Sequence, residues 1–264
     1  MVFVIHQLVA CLYLAAGICA GVGLGFARPQ ITRVGFGALG LGWGLHLVGF
    51  SLLHTLDPTP PVTDIGRAVS FMAFVGVGAF LLLLRKARIH GLIVLVAPLA
   101  FMSEYFGLQS LGAPEVSAIE ASGGMPHFHV LFGSAGLALL GLAFIAGVLF
   151  LAEHRRLKSK RSLARLPALP SLEALDRVNL LALTFGFPLL TLGLVTGALW
   201  VEGMHGVPFT WSLHEIGASL GWLVYAVLVV LRFAAHQGAR QCATHAVGGF
   251  AVLFAGYVGV GLLL

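Results

Sequence analysis

Charge is what this 264-residue chain has least of: only 9% of it is Asp, Glu, Lys or Arg, against 59% hydrophobic residues. An ordinary soluble domain needs far more polar surface than that. The composition belongs to a polytopic helical membrane protein. Cysteine is scarce as well. Cys11, Cys19 and Cys242 form no CxxC and no pairing pattern, and two of them fall in the first apolar run, which argues against a thiol-redox role. There is no HExxH, no glycine-rich phosphate loop after a strand and no GxSxG elbow, so no enzyme activity is expected. No span carries paired carboxylates, which leaves a carboxylate proton relay unsupported. A basic n-region and a small-residue cleavage site are also missing, so the first 25 residues read as a retained span rather than a signal peptide. The formal charge of +5 is not a nucleic-acid signal, because where it sits matters more than its total.

What the chain has in plenty is glycine (35 residues) and long apolar runs. Eight candidate spans, each near the ~20 residues that a hydrocarbon core requires, cover approximately 3–25, 32–53, 67–84, 91–107, 128–152, 178–201, 213–235 and 245–263. The fold class is therefore all-α: a bundle of about eight transmembrane helices forming one membrane domain over 1–264. Arg28 and Arg33 follow span one, and Arg85, Lys86 and Arg88 follow span three. Seven further basic residues from Arg155 to Arg177 follow span five, and Arg232 and Arg240 follow span seven, with Arg67 alone on the other side. By the positive-inside rule both termini face outward. The acids Asp57, Asp64, Glu104, Glu115, Glu120, Glu202 and Glu215 are assigned to the outer side as well. The basic loop 153–177 reads as a topological anchor that also meets anionic lipid headgroups, and Ser171 reads as the N-cap of a short helix on the membrane surface. Spans two and eight are dense in glycine, which suits either close helix packing or a flat cofactor lying against them.

Eleven histidines in so apolar a chain are the main source of chemistry. His46 sits inside span two, where a neutral imidazole must find a neighbouring helix carbonyl or a metal. His127 and His129 open span five. Two residues apart on a helix is a rotation of roughly 200°, so they face different ways, and His129, next to the apolar run, is the better inward candidate. The loop between spans six and seven gathers His205, His214, Trp200, Phe209, Trp211, Glu202 and Glu215. Aromatic faces with imidazoles suit a flat, apolar, metal-containing ligand, although tryptophans also gather at bilayer interfaces without one. Histidine and tryptophan without cysteine or acidic ligands at depth match a structural zinc site poorly, and histidine-ligated haem fits best.

The block GVPFTWSLHE (206–215) resembles the tryptophan-rich WGxxWxWDPKE signature of the CcsA-type cytochrome c assembly proteins. Gly206, Trp211 and Glu215 match, while His205, Phe209, Ser212 and His214 replace the first Trp, the second Trp, the Asp and the Lys. The last two apolar runs resemble that family's last two helices, and 166–197 resembles the HemX/YpjD branch, with its proline-containing segment before a glycine-containing span. The resemblance implies a multi-pass protein of the bacterial inner membrane that handles non-covalent b-type haem at the outer face for delivery to apocytochrome c, with other maturation proteins as partners and no nucleic acid. It makes His129 the outer histidine opening span five, His46 the membrane-embedded histidine, and Trp211 with Phe209 the aromatic floor; His205 or His214 is the inferred second outer ligand. Two departures stand against a full assembly protein. Val230 occupies the place of a second membrane histidine, and the sequence ends at Leu264 before a further outer one. They favour a shorter, accessory member, the alternative being a non-haem accessory or regulatory subunit that has lost the ligand site.

Overall fold

The computed structural model describes residues 2–56, 65–84, 89–110, 124–159, 170–235 and 237–263. All eight expected spans are helices: α1 (Val2–Gly25), α2 (Pro29–Leu56), α3 (Ile65–Leu84), α4 (Ile93–Ser110, entered through a 3-10 turn at His90–Leu92), α5 (Gly124–Lys158), α6 (Leu172–His205), α7 (Leu213–Phe233) and α8 (Ala239–Leu263). Among the described residues, seven of them, α1 to α7, are long and apolar enough to cross a membrane. The chain is a multi-pass helical membrane protein.

Helices α5 and α6 run to 35 and 34 residues, well beyond the apolar stretches that identified them. At its end α5 carries Arg155, Arg156 and Lys158, whose charges complement the carbonyl end of the helix dipole. Ser171 does cap a helix, accepting from the Ala174 N–H at 3.2 Å, but that helix is α6 itself and not a separate surface segment. Residues 160–169 of the basic loop, the outer segment 111–123, Arg85, Lys86, Arg88 and His236 lie outside the described residues.

Two compact units divide the chain: residues 1–115 with 152–175, and residues 116–151 with 176–264. In the first, α1 buries one face at His6, Val9, Tyr13, Ala16 and Ala20, a spacing of three and four that marks a single helical stripe. Its other side leaves Leu8, Leu14, Ile18 and Val22 exposed, as lipid contact requires. The glycines of α2 at seven-residue intervals face that stripe. A Cβ at Gly35 would stand 3.0 Å from the Ala16 carbonyl, one at Gly42 2.9 Å from the Tyr13 ring, and one at Gly49 2.9 Å from the His6 ring. Helix packing, rather than room for a flat cofactor, accounts for this row.

In the second unit Leu140, Leu183, Tyr225 and Leu253 form the core, with Phe187, Leu228 and Phe250 packed around it. Small residues again set the helix approach. A Cβ at Gly136 would meet the Leu190 backbone at 2.6 Å and one at Gly193 the Gly133 backbone at 2.7 Å, so α5 and α6 touch backbone to backbone. Trp222 Nε1 donates to Thr191 Oγ1 at 2.9 Å, and Arg232 pairs with Asp176 at 2.9 Å, joining α7 to α6 along its length.

Candidate functional site

Two constellations of polar side chains stand out, one in each unit. In the second unit it forms where α6 ends and α7 begins. The helix closes on Gly206, which adopts φ 71 and donates its N–H to the Glu202 carbonyl at 2.8 Å. A capping box starts α7: Ser212 Oγ accepts from the Glu215 N–H at 3.2 Å, and the Glu215 carboxylate accepts from the Ser212 N–H at 3.4 Å. Glu215 also takes the Thr210 N–H at 2.8 Å and the Thr210 hydroxyl at 2.7 Å. Its carboxylate is thus committed to shaping the loop. Held between these anchors, Trp211 sits at φ 62, a region a bulky residue occupies only under strain of about 1–3 kcal/mol. The strain turns its indole outward, 76% exposed, with Phe209 edge-on at 4.9 Å.

His129, in the second turn of α5, is half-buried and points at α6. Its Nδ1 donates to the Gly193 carbonyl at 2.8 Å, and its ring lies 6.0 Å from that of Trp200. A carbonyl only accepts, so the proton resides on Nδ1 and the Nε2 lone pair is left for a ligand. This is how a metal-ligating imidazole is oriented by its outer partner. Gly197 makes the arrangement possible, since a Cβ there would come within 2.7 Å of Nδ1. His214, exposed in the first turn of α7, lies within electrostatic range of His129. His205 ends α6 and is exposed; His127 is exposed in the first turn of α5, consistent with its expected outward direction. The second unit therefore holds six of the seven candidates, and His46 belongs to the first.

In the first unit His46 is fully buried. Its Nε2 lies 3.0 Å from Glu104 Oε2 and 3.0 Å from Ser70 Oγ, and its Nδ1 lies 3.1 Å from the Tyr13 hydroxyl. On the carboxylate's other oxygen, His6 Nδ1 donates at 2.7 Å, and the Ser70 hydroxyl donates to Oε2 at 2.5 Å. Phe50 stacks on the His46 ring at 4.9 Å. One proton assignment satisfies these contacts: Tyr13 O–H to His46 Nδ1, His46 Nε2–H to Glu104, and His6 Nδ1–H to Glu104, with the carboxylate accepting throughout. Of the ring nitrogens and oxygens of this cluster, His6 Nε2 is the one left buried without a hydrogen-bond partner among the described residues.

Glu104 corrects one sequence expectation: it is wholly buried within α4 and supplies an acidic donor beside the buried histidines, where the sequence reads as having none at depth. No local sequence pattern marks His6, Tyr13 and Ser70 as its companions. For Glu104 itself the signal was present: a lone acid inside the apolar run 91–107 is a functional candidate by default. His6 lies early in α1, His46 late in α2, Ser70 early in α3 and Glu104 late in α4. An up-and-down bundle brings those four positions to one end, the end that basic-residue placement assigns to the outside.

Comparison with known proteins gives a consistent answer. A family model described as cytochrome c assembly protein matches residues 41–264. Among similar curated proteins, a cytochrome c biogenesis protein CcsA of Prochlorococcus marinus is 28% identical over 232 residues, covering 77% of this chain and 73% of the relative. The protein of the same name from Guillardia theta is 27% identical over 222 residues, covering 77% and 74%. That of Mesostigma viride is 22% identical over 264 residues, covering 90% and 86%.

Proposed function

Because the chain belongs to the cytochrome c assembly protein family, we propose that it holds or passes non-covalent b-type haem at the outer face of a bacterial plasma membrane during cytochrome c maturation. The observation that carries this reading is the His129 imidazole, pinned through Nδ1 to the Gly193 carbonyl at 2.8 Å with its Nε2 lone pair left over. That donor chemistry fits haem iron. His129 would hold the iron through its nitrogen, with His214, within electrostatic range of it, as the second nitrogen donor; His205 lies further along the exposed end of α6. Trp211 and Phe209 offer apolar faces to the porphyrin, and Trp200 flanks the ligating ring. Bound there, haem brings the iron chemistry, while the protein contributes position and a water-poor edge. We assign no bond-breaking step to the protein. The haem-bearing form would be handed to apocytochrome c or to another maturation protein, and the proline-containing segment before α6 supports placement in the HemX/YpjD-type branch.

Purified in detergent with haem supplied, the protein is expected to show a Soret band that the His129→Ala/His214→Ala double variant lacks and His205→Ala retains. An undiminished band in a folded double variant would remove the reading in favour of a non-haem accessory subunit.

A further inference from the structure

The cluster around Glu104 is a second, separate candidate site. Three side chains with ligating atoms converge from three helices: His6 from α1, His46 from α2 and Glu104 from α4, all buried and with those atoms within 4.8 Å of one another. We propose that this cluster binds a divalent first-row transition metal ion through His6 Nδ1, His46 Nε2 and Glu104.

Two neutral imidazoles and one carboxylate are an N2O donor set carrying one negative charge. In a low-dielectric interior a divalent cation offsets that charge more fully than the neutral hydrogen-bond donors around it. The hydrogen bonds that now link the three residues, at 2.7 Å and 3.0 Å, run between the atoms that would ligate. Tetrahedral coordination at about 2.0–2.1 Å puts neighbouring donor atoms about 3.3 Å apart; the three ligating atoms already lie within 4.8 Å of one another, and the ion would take the place of the two N–H protons between them. The outer partners are already in place. Tyr13 O, 3.1 Å from His46 Nδ1, can accept the proton that ring carries once Nε2 binds the ion, and Ser70 Oγ donates to Glu104 Oε2. Phe50 and Phe74 wall the site with apolar rings. His6 precedes the region matched by the family model, which begins at residue 41. The first helical turn of α1 separates His6 from the outer end by about 6 Å, a short path for an ion entering from that side.

Full-length protein in detergent, stripped with a chelator and titrated with Co2+ or Zn2+, tests this by elemental analysis and by the visible spectrum of the Co2+ form. The expected result is one ion per chain and the strong visible bands of low-coordinate cobalt. Both should be lost in Glu104→Gln and in His6→Asn and retained in His129→Ala, which separates this site from the haem proposal. Tyr13→Phe, which removes a single hydroxyl, should bind roughly ten- to a hundredfold more weakly. Should Glu104→Gln fail to fold, the wild-type cobalt titration decides alone. A wild-type spectrum that stays that of the hydrated ion, or metal uptake equal in wild type and folded Glu104→Gln, overturns the proposal and leaves a hydrogen-bonded cluster.

Discussion

Gly197 touches no ligand in the proposed haem site, yet Gly197→Ala should weaken it. A Cβ at this position stands 2.7 Å from Nδ1 and 2.8 Å from Cε1 of His129. Comfortable contact begins at about 3.5 Å, so the imidazole must retreat by about 0.7–0.8 Å. That movement stretches the 2.8 Å bond from Nδ1 to the Gly193 carbonyl to the limit of a hydrogen bond. Losing it costs about 1 kcal/mol and frees the ring to rotate, so haem affinity should fall by about five- to tenfold. Titration of haem-free protein, followed at the Soret maximum, measures this directly. Gly203→Ala is the matched control: it lies on the same helix with nothing within 4 Å of its Cβ, and should bind as wild type does. Equal haem affinity in Gly197→Ala and wild type, with both folded, would refute the claim that the Gly193 carbonyl orients a ligating His129.

Removing the acceptor of the buried cluster is expected to cost stability. Glu104→Ala leaves the His6, His46 and Ser70 donors without their shared carboxylate, at about 3–5 kcal/mol, which lowers the apparent melting temperature in detergent by roughly 6 °C or more; a melt within about 1 °C of wild type contradicts the hydrogen-bond assignment. Trp211→Gly should behave in the opposite sense. It relieves the positive φ and so leaves the melting temperature unchanged or raised, by about 1 kcal/mol of relieved strain, while haem retention drops; retention at the wild-type level would show that the strained indole serves something else.

Much of this protein was legible in its sequence, because a hydrocarbon solvent imposes length and polarity on each span separately. The eight helices follow from local rules, and so does the preference for His129 over His127, which needs only the rotation between neighbours on a helix. The companions of His46 were a different kind of question. Tyr13, Ser70 and Glu104 are brought to it by three other helices, 33, 24 and, for the Ser70–Glu104 link, 34 residues apart, and no local pattern carries that pairing. The glycines of α2 were equally ambiguous until Ala16, Tyr13 and His6 were seen filling the space they leave. Local sequence determined which segments enter the membrane and how they begin and end; helix packing decided which buried polar atoms meet, since a polar group in lipid takes its partner from whichever neighbouring helix presents one at the same depth.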